Sequence, residues 1–325
     1  MKSSRIIVVA MIAFLAVAAL ACGKKGFFET EEVTIGTGSP LGVYYTAGLA
    51  IADIANEYGD DIDVTIATSE GSIYNIAALG TGEFDIAIAQ ADHFHNAVQG
   101  RGIWKGDPQE GLRFICSLHT EAITLLASDD SGIESAGDLR YKTVNIGTPL
   151  SGTHKNALDV LHSVGIDENI DITIDDSDPD TAAERIKEGS IDAMFYTAGH
   201  PNTVVSEATS GEKRVHFVEM AEMESLMRAF PYYTATTISH EYYPGASNAG
   251  DVTTTGVVAV LLTTSEASDD VVYAITKALF ENISEFKEEH PSFETLTMSG
   301  MLEGAFAPLH PGALRYYSEQ GIAGE

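Results

Sequence analysis

The sequence predicts an α/β protein of two lobes, each a mainly parallel sheet flanked by helices, with a ligand cleft between them. One phrase is written twice: Ile35-Gly36-Thr37 opens a Gly/Ser/Pro loop ending at Gly42, and Ile146-Gly147-Thr148 opens another ending at Gly152. Each is followed, about forty residues on, by Gly-x-x-Asp and an apolar run, at Gly82 to Asp85 and again at Gly189 to Asp192. Between these marks, short apolar runs alternate with helix-spaced stretches, as in parallel strands joined by crossover helices.

In chain order, Val33 to Ile35 reads as a buried strand and Tyr44 to Tyr58 as a helix, with apolar spacing at Leu49, Ile51, Ile54 and Ala55. Strands at Val64 to Ile66 and Asp85 to Ala89 alternate with a helix from Ser72 to Leu79. Phe114 to Leu118 and Ile123 to Ser128 add two strands near the lobe boundary. The second lobe repeats the pattern: strand Thr143 to Ile146, helix Lys155 to Val164, strand Ile170 to Ile174, helix Ala182 to Lys187 and strand Ile191 to Phe195. The apolar run Val257 to Leu262 reads as a fully buried strand, and Asp270 to Phe286 as the longest helix. The Gly/Ser/Asn-rich segment Pro244 to Gly250 is read as part of the return to the first lobe. The expected division is residues 32–128 with 251–325 in lobe 1 and 129–250 in lobe 2.

With 325 residues, 44% of them hydrophobic, the chain is long enough for two cores. Residues 1–21 carry Lys2 and Arg5, an apolar run from Ile6 to Leu20 and a small-residue end, which is the pattern of a secretory signal rather than of a membrane span. Cys22 stands where a bacterial lipoprotein carries its lipid, ahead of a polar tether over residues 22–31. The commonest lipobox has Leu and then a small residue where this chain has Ala19 and Leu20. Cys116 is the only other cysteine, so one lipidated and one buried thiol are expected rather than a disulfide. A formal net charge of -30 argues against nucleic acid or an anionic membrane surface as a partner.

In open α/β sheets ligands bind beyond the carboxyl ends of the strands, where helix N-termini present unpaired N–H groups. Five segments fall there: Gly36 to Tyr45, Ser69 to Ser72, Gln90 to Asp92, Gly147 to His154 and Tyr196 to His200. All are rich in hydroxyls, amides and glycines, and none contains arginine. Gly36 to Gly42 is one residue too long for a dinucleotide fingerprint, and Gly147 to Gly152 has P-loop glycine spacing with Thr153-His154 in place of Lys-Ser/Thr, so no nucleotide is expected. His93 and His95, beside Asp92, open a helix where side chains two apart diverge; a solvated helix face is expected there, not a metal site. Ser151 and His154 lack a third group to orient the imidazole, so Ser151 is read as a hydroxyl donor to a ligand and no enzyme activity is expected. One of Tyr44 and Tyr45 is expected over the ligand and the other in the core. Glu70 opens a helix as a first-turn carboxylate and is also placed to receive a ligand ammonium group.

Taken together these loops resemble the TAXI-type solute-binding proteins of TRAP transporters. The resemblance covers nearly the whole mature chain and rests on Ile35 to Gly38 with Gly42 to Tyr45, Gly71-Ser72 with Asn75, Gly82 to Ala87 ending in Gln90-Ala91-Asp92, Ser151 to Thr153, Phe195 to Gly199, and Pro308 to Gly312 followed by Tyr316-Tyr317. It implies a two-lobed fold of the type II periplasmic-binding-protein kind and an extracytoplasmic receptor that delivers a small carboxylate or amino acid to a TRAP membrane permease, with no cofactor. The implied ligand-binding set is Gly38, Ser39, Tyr44, Tyr45, Ser69, Glu70, Ser72, Asn75, Gln90, Ser151, Gly152, Thr153, Thr197 and Ala198. Glu70 departs from the small residue common in the family, which sets a plain dicarboxylate against a glutamate-like or neutral amino acid, its ammonium meeting Glu70 or Asp92. A receptor for an ABC importer or a membrane sensor, and a secreted hydrolase using Ser151 or His154, remain as alternatives.

Overall fold

The computed structural model describes residues 30–220 and 224–322; the expected signal segment, Cys22 and most of the tether lie outside them. In the first half, β1 (Glu31–Gly36) lies between β2 (Ile62–Ala67) and β3 (Ile86–Gln90) and runs parallel to both. Helix α1 (Val43–Tyr58) joins β1 to β2, α2 (Ser72–Thr81) joins β2 to β3, and α3 (Ala91–Val98) leaves β3 directly. The second half repeats this: β5 (Thr143–Asn145) lies between β6 (Thr173–Asp175) and β7 (Ala193–Ala198), parallel to both, with α4 (Gly152–Ser163) and α5 (Pro179–Glu188) as crossovers.

Two long strands stitch these units into one sheet of order β2-β1-β3-β10-β4-β7-β5-β6. β4 (Leu112–Ser128) and β10 (Val252–Thr264) pair antiparallel from Leu112 with Thr264 to Ala122 with Gly256. β10 then edges the first half through Ala259 to Leu262 on β3, and β4 edges the second through Ala122 to Ala127 on β7. Two shorter strands, β8 (Val215–Phe217) on β4 and β9 (Tyr233–Ile238) on β10, complete the sheet. The chain therefore changes halves around Thr120 to Ala122 and Gly256 to Val258, within strands rather than in loops.

The repeated Gly-x-x-Asp has the same structural meaning in both halves. Gly82 and Gly189 are left-handed residues closing α2 and α5, at φ 73° and 75°, a conformation that favours glycine. Three residues on, Asp85 accepts a hydrogen bond from the backbone N–H of Thr34 at 2.8 Å and Asp192 one from Thr143 at 2.8 Å. Each aspartate ties the end of one crossover to the first strand of its unit, which fixes where the loop beyond that strand begins.

Four expectations need correction. Phe114 to Leu118 and Ile123 to Ser128 are one strand, buried throughout except at Arg113 and Thr120. The helix expected over Asp270 to Phe286 is broken at Asn282 into α6 (Asp269–Glu281) and α7 (Ile283–Glu288), where the Asn282 side-chain amide donates to the Ala278 carbonyl at 2.8 Å; α1 is longer. Ile170, expected to begin a strand, lies in a turn over 168–171 capped by Asp167, and the strand starts at Thr173. The His93 face of α3 is not solvated: Asp92 and His93 are buried, with Trp104 edge-on to His93 at 6.3 Å between ring centres. A helix over Pro311–Glu319, α8, brings the C-terminus back to the first half, where the Tyr317 hydroxyl donates to Ile115 O at 2.9 Å. Cys116 is a free, fully buried thiol, and burial pushes its pKa up.

Candidate functional site

The carboxyl ends of β1, β2 and β3 face those of β5 and β7 across a cavity of about 220 Å³. That is below the usual span for drug-sized ligands, roughly 300–1,000 Å³, and suits a small solute. From the first half come Gly38, Ser39 and Tyr44 around the start of α1, Ser69, Glu70 and Ser72 around the start of α2, and Gln90 at the end of β3. The second half supplies Ser151, Gly152 and Thr153 at the start of α4, with Thr197 and Ala198 at the end of β7. Thus twelve of the fourteen expected residues meet at one cavity.

Tyr45 and Asn75 stand outside its lining. Asn75 is a buried brace: its amide donates to Thr37 O at 2.6 Å and Ile88 O at 2.7 Å, and its oxygen accepts from the Ser69 hydroxyl at 2.6 Å. Tyr44 rather than Tyr45 is the tyrosine at the site. Asp92 also lies off the cavity, its carboxylate accepting from His93 N at 2.7 Å and from the Asn156 amide at 2.9 Å, so it is not available to a ligand ammonium group. Ser151 was expected to donate to a ligand; its hydroxyl donates instead to Thr148 O at 2.7 Å while accepting His154 N–H at 3.1 Å. With the His154 ring at 3.2 Å from Gly147 O, neither residue is arranged as nucleophile and base.

Helices α1, α2, α4 and α5, each of eight residues or more, begin at the cavity, the last through Asp178 and Pro179. α4 is capped by Ser151, but Gly42 and Gly71, which precede α1 and α2, provide no side-chain cap. First-turn N–H groups of α1 and α2 therefore need an acceptor from water or a ligand. Thr153 accepts Thr197 N–H at 3.1 Å, fixing α4 against β7 and leaving its own proton for a ligand. The two halves approach closely here: a β-carbon on Gly152 would stand 2.1 Å from the Gln90 side-chain oxygen, so only glycine allows that approach.

Glu121, Tyr196, Asn145 and Asp178 also line the wall. Glu121 was not among the expected residues. It projects from the middle of β4 with 3% of its surface exposed, and its carboxylate accepts a hydrogen bond from the Tyr44 hydroxyl at 2.9 Å. Burial pushes its pKa up to about 8; the Asp92 charge acts the same way, against donation from Tyr44 and Gln90. Burial, together with Glu121 itself, holds the phenols of Tyr44 and Tyr196 above their usual range. Glu70 and Asp178 stand at the exposed rim, and the N–H of Thr181 holds the Asp178 carboxyl below the usual range. No lysine, arginine or histidine lines the cavity. Two buried oxygens on its wall, Gln90 Oε1 and Thr197 Oγ1, have no hydrogen-bond partner. Among the described residues no cluster of His, Cys, Asp and Glu is arranged to hold a metal ion.

Comparison with solved structures gives the same architecture at low sequence identity. A protein of Bordetella bronchiseptica RB50 superposes with TM-score 0.57 at 15% identity, over 90% of this chain and 99% of that one. The binding-protein component of an ABC phosphonate transporter from Pseudomonas aeruginosa gives TM-score 0.51 at 14% identity, over 81% and 79% of the two chains. The fold is that of type II periplasmic binding proteins. The sequence pattern of the NMT1-like family runs from residue 35 to residue 321, from the strand that opens the first cavity loop to the end of the C-terminal helix, and the chain belongs to that family.

Proposed function

We propose that this chain is an extracytoplasmic solute receptor that takes a small carboxylate or amino acid, glutamate-like by preference, into the cleft and delivers it to a TRAP membrane permease. The observation that carries the reading is a small cavity walled by corresponding loops of both halves, with hydroxyl and amide side chains from each. A ligand there touches both units at once and favours their closed arrangement, which a membrane partner can read. Its carboxylate is held without arginine by the uncapped N-termini of α1 and α2 and by hydroxyls, each charge-assisted bond contributing roughly 1.5 to 3 kcal/mol. The same reading makes the protein a binder rather than an enzyme, since Ser151 is engaged in capping α4 and the His154 ring lies against Gly147 O. It also places the chain outside the cytoplasm, with Cys22 lipidated as its membrane anchor.

A receptor for an ABC importer is the second reading, favoured by the phosphonate-transporter component that shares the fold. Uptake into vesicles carrying the TRAP permease separates the two. The first reading predicts uptake driven by an imposed ion gradient without ATP; uptake that needs ATP and an ABC permease supports the second. Conversion of the solute by the purified protein alone would overturn both.

A further inference from the structure

We propose that Glu121 is the group that receives a ligand's ammonium: Tyr44 and Gln90 hold its carboxylate in place, and the unpaired oxygens of Gln90 and Thr197 are there to accept the remaining N–H groups. The inference rests on the receptor reading and narrows it to solutes bearing a compact cation, amino acids first. A buried carboxylate is normally paired with a cation or hydrogen-bonded on all sides. Glu121 has donors, the Tyr44 hydroxyl at 2.9 Å and the Gln90 amide, but no countercharge, since no lysine, arginine or histidine lines the cavity. Gln90 Oε1 and Thr197 Oγ1 are acceptors left unpaired in the same wall. An ammonium group supplies both missing elements, one positive charge and several N–H donors. Glu70, the carboxylate a sequence reading favours for this role, stands exposed at the rim, where water competes for a cation.

The groups facing Glu121 do not supply the charge either. Tyr44 on α1 and Tyr196 on β7 are neutral phenols; His119, two residues away on β4, is pushed by burial to about 3 and is uncharged. Asp92 at the start of α3 and Glu70 and Asp178 at the rim are acids too, and none of them supplies a positive charge. With burial raising its pKa to about 8, Glu121 is mostly protonated in the empty protein at neutral pH. Arrival of an ammonium ion displaces it, so the neutral acid and the cation become a carboxylate–ammonium pair and one proton passes to solvent.

The test begins with a thermal-shift panel of the twenty common amino acids, their 2-oxo and 2-hydroxy analogues, C3 to C6 dicarboxylates and small alkylamines. Stabilisation by an ammonium-bearing compound, and none by its nitrogen-free analogue, is expected. The best compound is then titrated calorimetrically into wild type and Glu121→Gln between pH 6 and 8.5, in buffers of different ionisation heat. Wild-type affinity should rise about tenfold per pH unit until Glu121 is ionised and then level off, with proton release at pH 7. Glu121→Gln should lose that slope, and bind about tenfold or more weakly at pH 8. Affinity that is flat or falls with pH, or a Gln variant with the wild-type slope, overturns the assignment. Stabilisation by nitrogen-free carboxylates alone also overturns it while leaving the receptor reading intact; stabilisation by nothing in the panel removes both.

Discussion

Glu121 also has a consequence for the folded state without any ligand. A carboxylate whose pKa lies near 8 in the fold and near 4.5 in the open chain takes up a proton on folding. Its favourable contribution is complete below about pH 4.5 and is lost as the pH rises through about 8, by at most about 1.4 kcal/mol per unit within that window. Glutamine mimics the neutral acid without titrating. Urea midpoints of ligand-free protein should therefore show Glu121→Gln gaining on wild type between pH 5 and pH 8, and parallel profiles would place the burial elsewhere. Residues such as Ser39, Ser72 and Thr153 were legible because they sit in loops marked by glycines and hydroxyls at strand ends. Glu121 was not, because it lies inside a strand. The signal that would have found it is a lone acid in an otherwise apolar and hydroxyl-rich stretch from Leu112 to Ser128.

Helix starts and strand crossings set the shape of the site. α4 enters the cavity through Gly152, whose missing side chain is filled by the Gln90 amide of the opposite half. A methyl group there meets the end of a flexible side chain and not backbone, so Gly152→Ala should fold normally while turning Gln90 away from Glu121. We expect circular dichroism unchanged and solute affinity lower by about tenfold, in line with loss of a hydrogen bond to a charged group; wild-type affinity would show that Gln90 is not held by this approach. At this scale the doubled loop and the doubled Gly-x-x-Asp were readable from residue types alone, since left-handed C-caps demand glycine. The unbroken β4 was not, because Thr120 and Glu121 interrupt its apolar pattern; they do so where the strand passes between the halves and faces the cleft. β9 and α8 were missed for a related reason, as Tyr233–Ile238 and Pro311–Glu319 owe their order to packing on β10 and α6 more than to periodicity.

The whole molecule is two copies of one βαβαβ idea joined by two shared strands, so that corresponding loops confront each other and a bound solute must touch both. A chain with net charge -30 and no cation in the cavity opposes a doubly anionic solute at long range, in keeping with a zwitterion held at one end by helix N-termini and at the other by Glu121. Two hydroxyls test that geometry from opposite sides. Ser39 belongs to the first half and Thr153 to the second, and both line the cavity. The most direct measurement is a calorimetric titration of the best-stabilising amino acid into wild type, Ser39→Ala and Thr153→Ala at pH 8. Each variant should bind more weakly by about 1 to 3 kcal/mol, the range for a buried polar group left unpaired. Unchanged affinity in both would contradict a solute held between the two halves.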